Sequence, residues 1–312
     1  MNAFARIVNA QPPKPQLATR LGEYQWAQAV PFFAMHLVPF AALWTGVRLQ
    51  DWLLCGALYV VRMFGVTGAY HRYFSHRTYK TSRVFQFLLA FLAQTSVQKG
   101  ALWWAAHHRT HHKYSDMPGD PHNSRRGFWY SHVGWILDRT GRTDYSKVRD
   151  LAKFPELVLL NEYPHIASVS LGIAVWWFFG WSGLVIGFGL STVLLWHGTF
   201  TINSLSHMLG TQRYAAGDDS KNNFWLALIT LGEGWHNNHH HFMGSTRQGF
   251  FWWEIDITYY VLKALAFVGL VWDLKPPPAR VYDPASWISA APVGSAATEA
   301  VPSLPSALPP TA

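Results

Sequence analysis

The run from Tyr163 to Gln212 contains no Asp, Glu, Lys or Arg, and it constrains the fold more than any other feature of the sequence. A helix needs roughly 20 apolar residues to cross a bilayer, so this run is long enough for two crossings. A turn between them fits at Gly180–Gly183. The whole chain has 13% charged residues, whereas soluble domains have about 25%. The sequence therefore predicts an all-α protein embedded in a membrane.

Four apolar segments are candidates for transmembrane helices. They are Tyr24–Val47, Trp52–Tyr70, Ile166–Phe179 and Gly183–Ser206. Arg62 is unusual within the second segment, and it either faces the protein interior or lies where the helix has left the hydrocarbon. Two pairs of crossings return the chain to its starting side, so both termini and the polar middle of the chain should share one face of the membrane.

The polar middle, residues 103–162, contains nine Lys or Arg, whereas the turns at 48–51 and 180–183 contain one between them. The positive-inside rule places this middle, with both termini, in the cytosol.

The segment Val84–Trp104 is apolar, but a crossing there would put His76 and His108 on opposite faces of the membrane. We therefore predict that this segment lies flat or re-enters; a true span is the alternative. Ile257–Trp272 is short and contains Lys263, which favours an interfacial helix.

The ends of the chain differ in composition from its centre. Residues 1–23 form a polar lead, residues 24–275 form one domain, and residues 276–312 are rich in Pro, Ala and Ser and are predicted to be disordered. The net charge of +8 is not accompanied by a nucleic-acid recognition motif, so anionic lipid is the expected partner of the basic residues, and a polyphosphate-bearing substrate is the alternative. Cys55, the single cysteine, excludes an intrachain disulfide and a cysteine-based metal cluster.

Histidines recur at spacings that suit metal binding. Positions i, i+3 and i+4 share one face of a helix, so side chains there point the same way. Two triplets have this spacing and two pairs accompany them: His108, His111 and His112; His236, His239 and His240; His71 and His76; and Asn203 and His207. Neutral imidazole binds iron, copper, nickel or zinc. The pattern predicts a metal site built almost entirely from histidines.

The sequence around these histidines resembles the membrane fatty-acyl desaturase family, and specifically its delta-9 acyl-CoA branch. The matching runs are His71–His76 with Arg77–Lys80, His108–Asp116, Asp120–Gly127, Ser131–Trp135, Asn203–His207 and Glu233–Phe242. Their order and spacing together are specific, and the resemblance covers residues 25–275. It implies four transmembrane helices beneath a cytosolic helical cap that holds two iron ions.

The resemblance also implies a role for each histidine. One iron would be bound by His71, His76, His108, His112 and His240. The other would be bound by His111, His207, His236 and His239, with Asn203 acting through a water molecule. Glu233 is expected to contact a ligand rather than the metal. The remaining seven histidines are expected to be structural: His36, His107, His122, His132, His165, His197 and His241. For His122 and His132, contact with a metal ligand is the alternative.

The activity implied by the resemblance is oxygen-dependent desaturation. Dioxygen is the oxidant, one hydrogen leaves each of two adjacent methylenes, and a cis double bond and water are formed. Two external electrons are required, and the expected donor is a separate protein of the ferredoxin or cytochrome b5 type. Identical methylenes offer no hydrogen-bonding group, so a closed and kinked apolar tunnel must set the position of the double bond.

The residues that distinguish acyl carriers give a divided answer. Arg139 matches a position that contacts the phosphates of coenzyme A in the acyl-CoA enzymes, although a juxtamembrane charge is an alternative role. Those enzymes have a basic residue in place of Thr140 and an Arg-Asp pair in place of Ala106–His107. The last histidine box also resembles the acyl-lipid branch. We expect a long-chain acyl-CoA substrate and keep an acyl lipid as the alternative.

Two other functions stay open as alternatives to a desaturase. A membrane di-iron hydroxylase would share the histidine boxes, but it would lack the runs Asp120–Ser124 and Asn203–His207. A metal-ion transporter would hold its ligands near the bilayer midplane, where the sequence offers only His36 and His197. Both are less consistent with the sequence than a desaturase.

Overall fold

The computed structural model describes residues 26–138 and 142–288, and these residues are largely helical. Arg139, the polar lead at residues 1–23 and the chain beyond residue 288 lie outside the described residues. The predicted all-α class is confirmed for the part of the chain that the structure describes.

The first two long helices form a hairpin. In chain order the elements are α1 (Trp26–Leu37), a 3₁₀ turn (Val38–Ala41), α2 (Ala42–Thr45), α3 (Leu49–Phe64) and a π-helix (Gly65–Ser75) that continues α3. The turn begins at Gly46, whose φ of 69° is accessible to glycine at little cost. Asp51 then caps α3, because its carboxylate accepts a hydrogen bond from the Arg48 backbone N–H at 2.8 Å.

A series of shorter helices follows the first hairpin. They are α4 (Arg83–Gln94), α5 (Ala101–Tyr114), α6 (Phe128–His132), α7 (Arg149–Ala152) and α8 (Pro155–Glu162), with 3₁₀ turns at Ser124–Arg126, Gly134–Leu137 and Tyr145–Lys147. The predicted interfacial segment Val84–Trp104 is therefore not one helix but two, separated by a connection at residues 95–100. The 12 residues of α4 extend about 18 Å, less than the roughly 30 Å of hydrocarbon that a spanning helix must cross.

The second hairpin lies in the charge-free run. It consists of α9 (His165–Ser182), a π-helix (Gly183–Leu190), α10 (Ser191–Asn203) and α11 (Leu205–Met208). Gly180, at φ 70° and ψ −165°, interrupts the helical backbone. A Cβ on Gly172 would lie 3.8 Å from Leu184, so the two halves fold back on each other. The predicted turn is thus confirmed, and glycine is the residue that makes it.

Two helical stretches, Leu49–Ser75 and His165–Met208, are long and apolar enough to cross a membrane, and Ala29–Thr45 is shorter. The turns of both hairpins lie together, since the Arg48 guanidinium donates a hydrogen bond to the Phe179 carbonyl. Apolar side chains near these turns are exposed, with Trp44 82% and Phe178 76% accessible. Such exposure is unusual in water and is expected of a surface that contacts lipid.

The last part of the chain completes a cap at the other end of the hairpins. It contains α12 (Phe224–Ile229), α13 (His236–His241), α14 (Ile257–Phe267) and 3₁₀ turns at Ala279–Tyr282 and Pro284–Ser286. Two short strands, Lys80–Thr81 and Val271–Trp272, pair antiparallel. The predicted interfacial helix Ile257–Trp272 thus ends earlier than expected, at Phe267.

The expected disorder from residue 276 onward needs correction for residues 276–288. Val281 is fully buried, its carbonyl accepts a hydrogen bond from the Tyr214 hydroxyl at 2.7 Å, and the Ile288 backbone N–H donates to the Arg213 carbonyl at 2.7 Å. These contacts anchor a Pro-rich segment that composition alone marks as unable to form a core. The segment packs on the cap close to α13.

The hydrophobic core joins the π-helix Gly65–Ser75 to α4, α5 and α10. Its most deeply buried members include Met63, Tyr70, Phe74, Leu102 and Leu195. Because these elements pack around one core, the histidines that they and α13 carry are held in a fixed arrangement.

Candidate metal centre

Nine of the sixteen histidines converge in two groups inside the cap. The five-histidine group contains His71, His76, His108, His112 and His239, and the four-histidine group contains His111, His207, His236 and His240. Within each group, the ligand nitrogens all lie within 4.8 Å of one another. All nine predicted histidine ligands are therefore brought together, and the other histidines of the described residues are in neither group.

The helices α5 and α13 each contribute to both groups. On α5, His108 and His112 point to the five-histidine group and His111 to the other; on α13, His236 and His240 point to the four-histidine group and His239 to the other. Side chains at i and i+4 are offset by about 40°, whereas those at i+3 and i+4 are about 100° apart. In each box the i, i+4 pair serves one centre, and the i+3 residue, on the other edge of the same face, serves the second centre.

The expected division of ligands is wrong in one respect. The resemblance implies that His240 belongs with His108 and His112, and His239 with His236; the structure exchanges them. The physical reason is the same angular rule, because His236 and His240 are an i, i+4 pair and stay together.

A π-helix brings His71 and His76 together. Residues five apart point in quite different directions from an α-helix, but a π-helix closes i→i+5 hydrogen bonds and so nearly aligns them. The His76 backbone N–H donates to the His71 carbonyl at 3.2 Å, which is this wider type of bond. The two imidazole centroids lie 4.9 Å apart. The His-x₄-His spacing thus depends on local π-helical winding.

The spacing of the ring nitrogens fits a metal ion. Nε2–Nε2 distances are 2.9 Å for His71–His239, 2.9 Å for His76–His108 and 3.0 Å for His207–His236. Two nitrogens about 2.1 Å from one ion are about 3.0 Å apart at a right angle, but about 3.4 Å apart in a tetrahedron. The nitrogen spacing therefore fits one metal ion in each group, and the five donors of the larger group exceed the four of a tetrahedral zinc site.

Buried carboxylates fix which ring nitrogen faces the centre of each group. The Nδ1 atoms of four ligands contact carboxylates: His71 with Glu233, His111 with Asp120 at 3.0 Å, His207 with Asp116 at 2.8 Å and His240 with Asp218 at 2.5 Å. A neutral imidazole that donates its Nδ1–H in this way presents an unprotonated Nε2. Glu233 thus contacts the ligand His71, which is the role predicted for it.

The carboxylates are themselves held by hydrogen bonds. Asp116 accepts from the Ser124 hydroxyl at 2.6 Å and from the Asp219 backbone N–H at 2.9 Å. Glu233 accepts from the Arg72 guanidinium and the Gln248 amide, both at 3.1 Å. A buried carboxylate is stable only when paired or bonded in this way. The loops around the cap are thereby tied to the histidines.

Electrostatics keep most of the ligands neutral. Burial, followed by the neighbouring imidazoles, holds the pKa of five ligands well below its usual value: His76, His108, His112, His236 and His239. Burial also lowers the pKa of His240, to about 4, against the opposing effect of Asp218. For His111, burial lowers the pKa, but the carboxylates of Asp120, Asp116 and Asp218 together outweigh it and raise the pKa. Neutral imidazoles are the form that binds metal.

The other candidate residues lie around the two groups. Asn203 lines the same cavity as His111 and His236. The His122 ring lies 4.3 Å from the His111 ring, so the alternative of a contact with a ligand holds for His122. His241, in contrast, stacks on Tyr214 at 4.3 Å and belongs to neither group.

His132 contacts no ligand and hydrogen-bonds to Ser204 and His197, each at 3.0 Å. His107 is packed against Trp103, and burial lowers its pKa to about 3. Both imidazoles lie outside the two groups, and His107 lines the cavity that Asn203 shares with His111 and His236.

Sequence reasoning missed the carboxylates other than Glu233. Asp116 and Asp120 follow the box on α5 at four and eight residues, inside runs that had already been singled out, so their spacing was an available signal. Asp218 carries no such signal, because its loop meets His240 only through the tertiary fold.

Two mainly apolar cavities share part of their lining, and one of them adjoins the converging histidines. The first is lined by members of both groups, and the second, of about 320 Å³, extends towards α1. Five side chains line both cavities and form what we call the neck: Gln98, Trp103, Trp104, Trp135 and Phe200. An apolar chain that passes through the neck would lie beside the metal centre.

Comparison with known proteins agrees with this site. The fatty acid desaturase family model matches residues 50–272. An sn-1 stearoyl-lipid 9-desaturase of Anabaena variabilis is 34% identical over 84% of this chain and 95% of its own length. An acyl-CoA 5-desaturase of Anemone leveillei is 37% identical over 78% of this chain and 77% of its own. Delta-9 acyl-lipid desaturase 2 of Arabidopsis thaliana is 35% identical over 77% and 78%.

The matched segment contains all nine converging histidines and the turn of the second hairpin at Gly180, so the likeness covers the site as well as most of the fold. The chain belongs to the fatty acid desaturase family and is an oxidoreductase that acts on fatty-acyl chains.

Proposed function

We propose that this chain is a di-iron, dioxygen-dependent desaturase that introduces a cis double bond at the delta-9 position of a saturated long-chain acyl substrate. The observation that supports it most is the placement of two groups of converging Nε2 atoms beside an apolar cavity. A hydroxylase would share the metal ligands, but the runs around Asp120 and Asn203 and the family match favour desaturation.

The five-histidine group would hold one iron and the four-histidine group the other, with Asn203 acting on the second through water. Bound there, iron supplies the oxidising chemistry of dioxygen, which takes up two hydrogens from the substrate together with two electrons and two protons and leaves as two water molecules. The electrons must come from a separate donor of the ferredoxin or cytochrome b5 type.

The protein's own residues would bind and orient the acyl chain. The neck is aromatic apart from Gln98, whose amide donates to the Thr199 hydroxyl at 3.1 Å and accepts from the Trp104 indole at 3.4 Å. Burial of each methylene in such a channel is worth about 0.8 kcal/mol, so an acyl chain gains most of its affinity there. The surrounding aromatic rings also exclude water from the reacting segment.

The acyl carrier proposed from the sequence is coenzyme A, and an acyl lipid is the second candidate. One observation favours the lipid: the larger cavity reaches Pro31, Phe32 and Met35 of α1, a helix whose Val30 is 60% exposed. A cavity against a lipid-facing helix suits lateral entry from the bilayer. The names of the relatives include both carriers and so favour neither.

We also propose four transmembrane helices with the cap and both termini in the cytosol. The hairpins supply two helix pairs, and their turns lie together at the end away from the histidines. The short α4 and the exposed face of α14, where Phe267 is 93% accessible, suit the membrane surface.

The carrier can be tested with purified enzyme and a reconstituted electron donor. Stearoyl-CoA and a stearoyl phospholipid are offered in separate vesicle preparations, and the products are identified by gas chromatography. We expect an oleoyl product from stearoyl-CoA, and His108→Ala serves as the inactive control. Turnover of the phospholipid alone would establish the second candidate, and an oxygenated product would show a hydroxylase.

Ligand variants should separate the two irons. His112→Ala and His239→Ala should each lower the iron content from two towards one per chain, and both should retain the Mössbauer signal of the iron in the four-histidine group. His240→Ala should instead retain the signal of the iron in the five-histidine group. Turnover should fall by more than about 100-fold, since even a contact outside the ligand shell is worth about 10–100-fold. His241→Ala is the matched control on the same helix, and loss of iron from it would contradict the assignment.

Asn203→Ala should keep both irons and reduce turnover by about 10–100-fold, because only a water-mediated contact is removed. Iron content and turnover are measured on the same preparation. An iron loss as large as that of His207→Ala would make Asn203 a direct ligand.

The proposed topology can be tested with single cysteines at Ser82 and Tyr114 in a Cys55→Ala background. Both sites should react with a membrane-impermeant thiol reagent from the cytosolic side of sealed, oriented vesicles. Reaction from opposite sides would mean that the intervening segment crosses the membrane.

A further inference from the structure

The connection between α4 and α5 is strained on both sides of one residue. Val97 and Lys99 have φ angles of 59° and 68°, in the left-handed region that non-glycine residues rarely adopt. Such residues persist where the surrounding structure fixes them, and they cluster at functional sites. The residue between them is Gln98, which lies in the neck.

Gln98 joins the two walls of the neck. One wall is α5, whose Trp104 donates to the Gln98 carbonyl oxygen, and the other is α10, whose Thr199 accepts from the Gln98 amide. A shift of the connection would break both hydrogen bonds and change the cross-section of the passage where the cavities meet.

Three side chains from the long helices hold the backbone carbonyls of this connection. The Arg62 guanidinium donates to Thr95 at 3.3 Å, the Trp196 indole to Ser96 at 2.9 Å and the Tyr70 hydroxyl to Lys99 at 2.7 Å. All three side chains are buried. We call this set of three hydrogen bonds the carbonyl clamp. It brackets Gln98 and involves no histidine of either group.

Arg62 shows how strongly the fold maintains the clamp. It is fully buried, and its partners in the structure are carbonyls and hydroxyls, with the Thr192 hydroxyl at 2.7 Å and the Ser191 hydroxyl closer still. A buried cation without a carboxylate is unfavourable in a membrane helix unless its donors are satisfied in this way. An apolar residue would pack at that point of α3, but it could not reach the carbonyl of Thr95.

We propose that Arg62, Tyr70 and Trp196 are positioning residues that, through Gln98, decide which pair of methylenes lies beside the histidine groups. The proposal rests on the proposed function and adds to it the protein residues that set the double-bond position. One methylene more or less is discriminated only weakly by an apolar pocket. A rigid neck would therefore contribute the selectivity between neighbouring methylenes that burial of the acyl chain alone cannot provide.

Tyr70→Phe is the sharpest test, because it removes one clamp hydrogen bond and leaves the ring stacked on Trp104. The matched control is Tyr79→Phe, which removes an equally buried hydroxyl whose 2.8 Å bond goes to the Gly68 carbonyl, outside the clamp. Each variant is expressed in a desaturase-deficient host fed stearate. Double-bond positions are read by mass spectrometry of the dimethyl disulfide adducts, and iron content is measured on purified protein.

We expect the fraction of misplaced double bonds to rise about three- to tenfold in Tyr70→Phe, the effect of one lost hydrogen bond, with iron content unchanged. Tyr79→Phe should keep the wild-type distribution even if its thermal stability falls. Arg62→Met should shift the distribution in the same direction and provides a second reading of the clamp.

A Tyr70→Phe enzyme with lower yield but an unchanged distribution would overturn the proposal and leave the clamp a purely structural role. An equal shift in Tyr79→Phe would do the same. Absence of any double bond with the unaltered chain would instead contradict the proposed function, so the two failures are distinguishable.

Discussion

The structure depends on one constraint, the need to point nine unprotonated Nε2 atoms at two small volumes in a buried site. A histidine side chain can rotate and can carry its proton on either nitrogen, so convergence alone is not sufficient. The carboxylates behind His71, His111, His207 and His240 remove both freedoms. Every such carboxylate must in turn be satisfied. For this reason Ser124, the loop at 218–219 and Arg72 are drawn into the cap.

Much of this arrangement could be predicted from the sequence, because it is encoded locally. The spacing in the two His-x₂-His-His boxes fixes helical faces, and the parity of the apolar segments requires those faces to meet. Gly180 could be anticipated as a turn within a run that is too long for one crossing. The exchange of His239 and His240 could also have been foreseen, since an i, i+4 pair stays together and the i+3 residue diverges.

The remaining features could not be predicted, because they arise from contacts distant in sequence. Nothing in the sequence distinguishes the π-helical winding around His71 from an α-helix, and nothing connects Asp218 with His240. The sequence is compatible with Arg62 in the protein interior or at the membrane interface, and tertiary packing places it in the interior. The order of residues 276–288 is similar, because Val281 is buried against Tyr214 and Phe250, which are distant from it in sequence.

The charge inventory of the cap bears on how many ions the site would hold. Glu254, which is buried beside α13, is paired with Arg213, so the two charges cancel. Five further carboxylates with side chains at most 7% exposed lie around the ligands, namely Asp116, Asp120, Asp218, Glu233 and Asp256. Arg72, which bonds Glu233 and Asp256, is the cation buried among them in the described residues. Five negative charges and one positive charge leave a formal charge of −4.

Uncompensated charge of that size is strongly unfavourable in a buried site. Cations bound by the two histidine groups would offset this charge, and the two divalent ions proposed above would balance it.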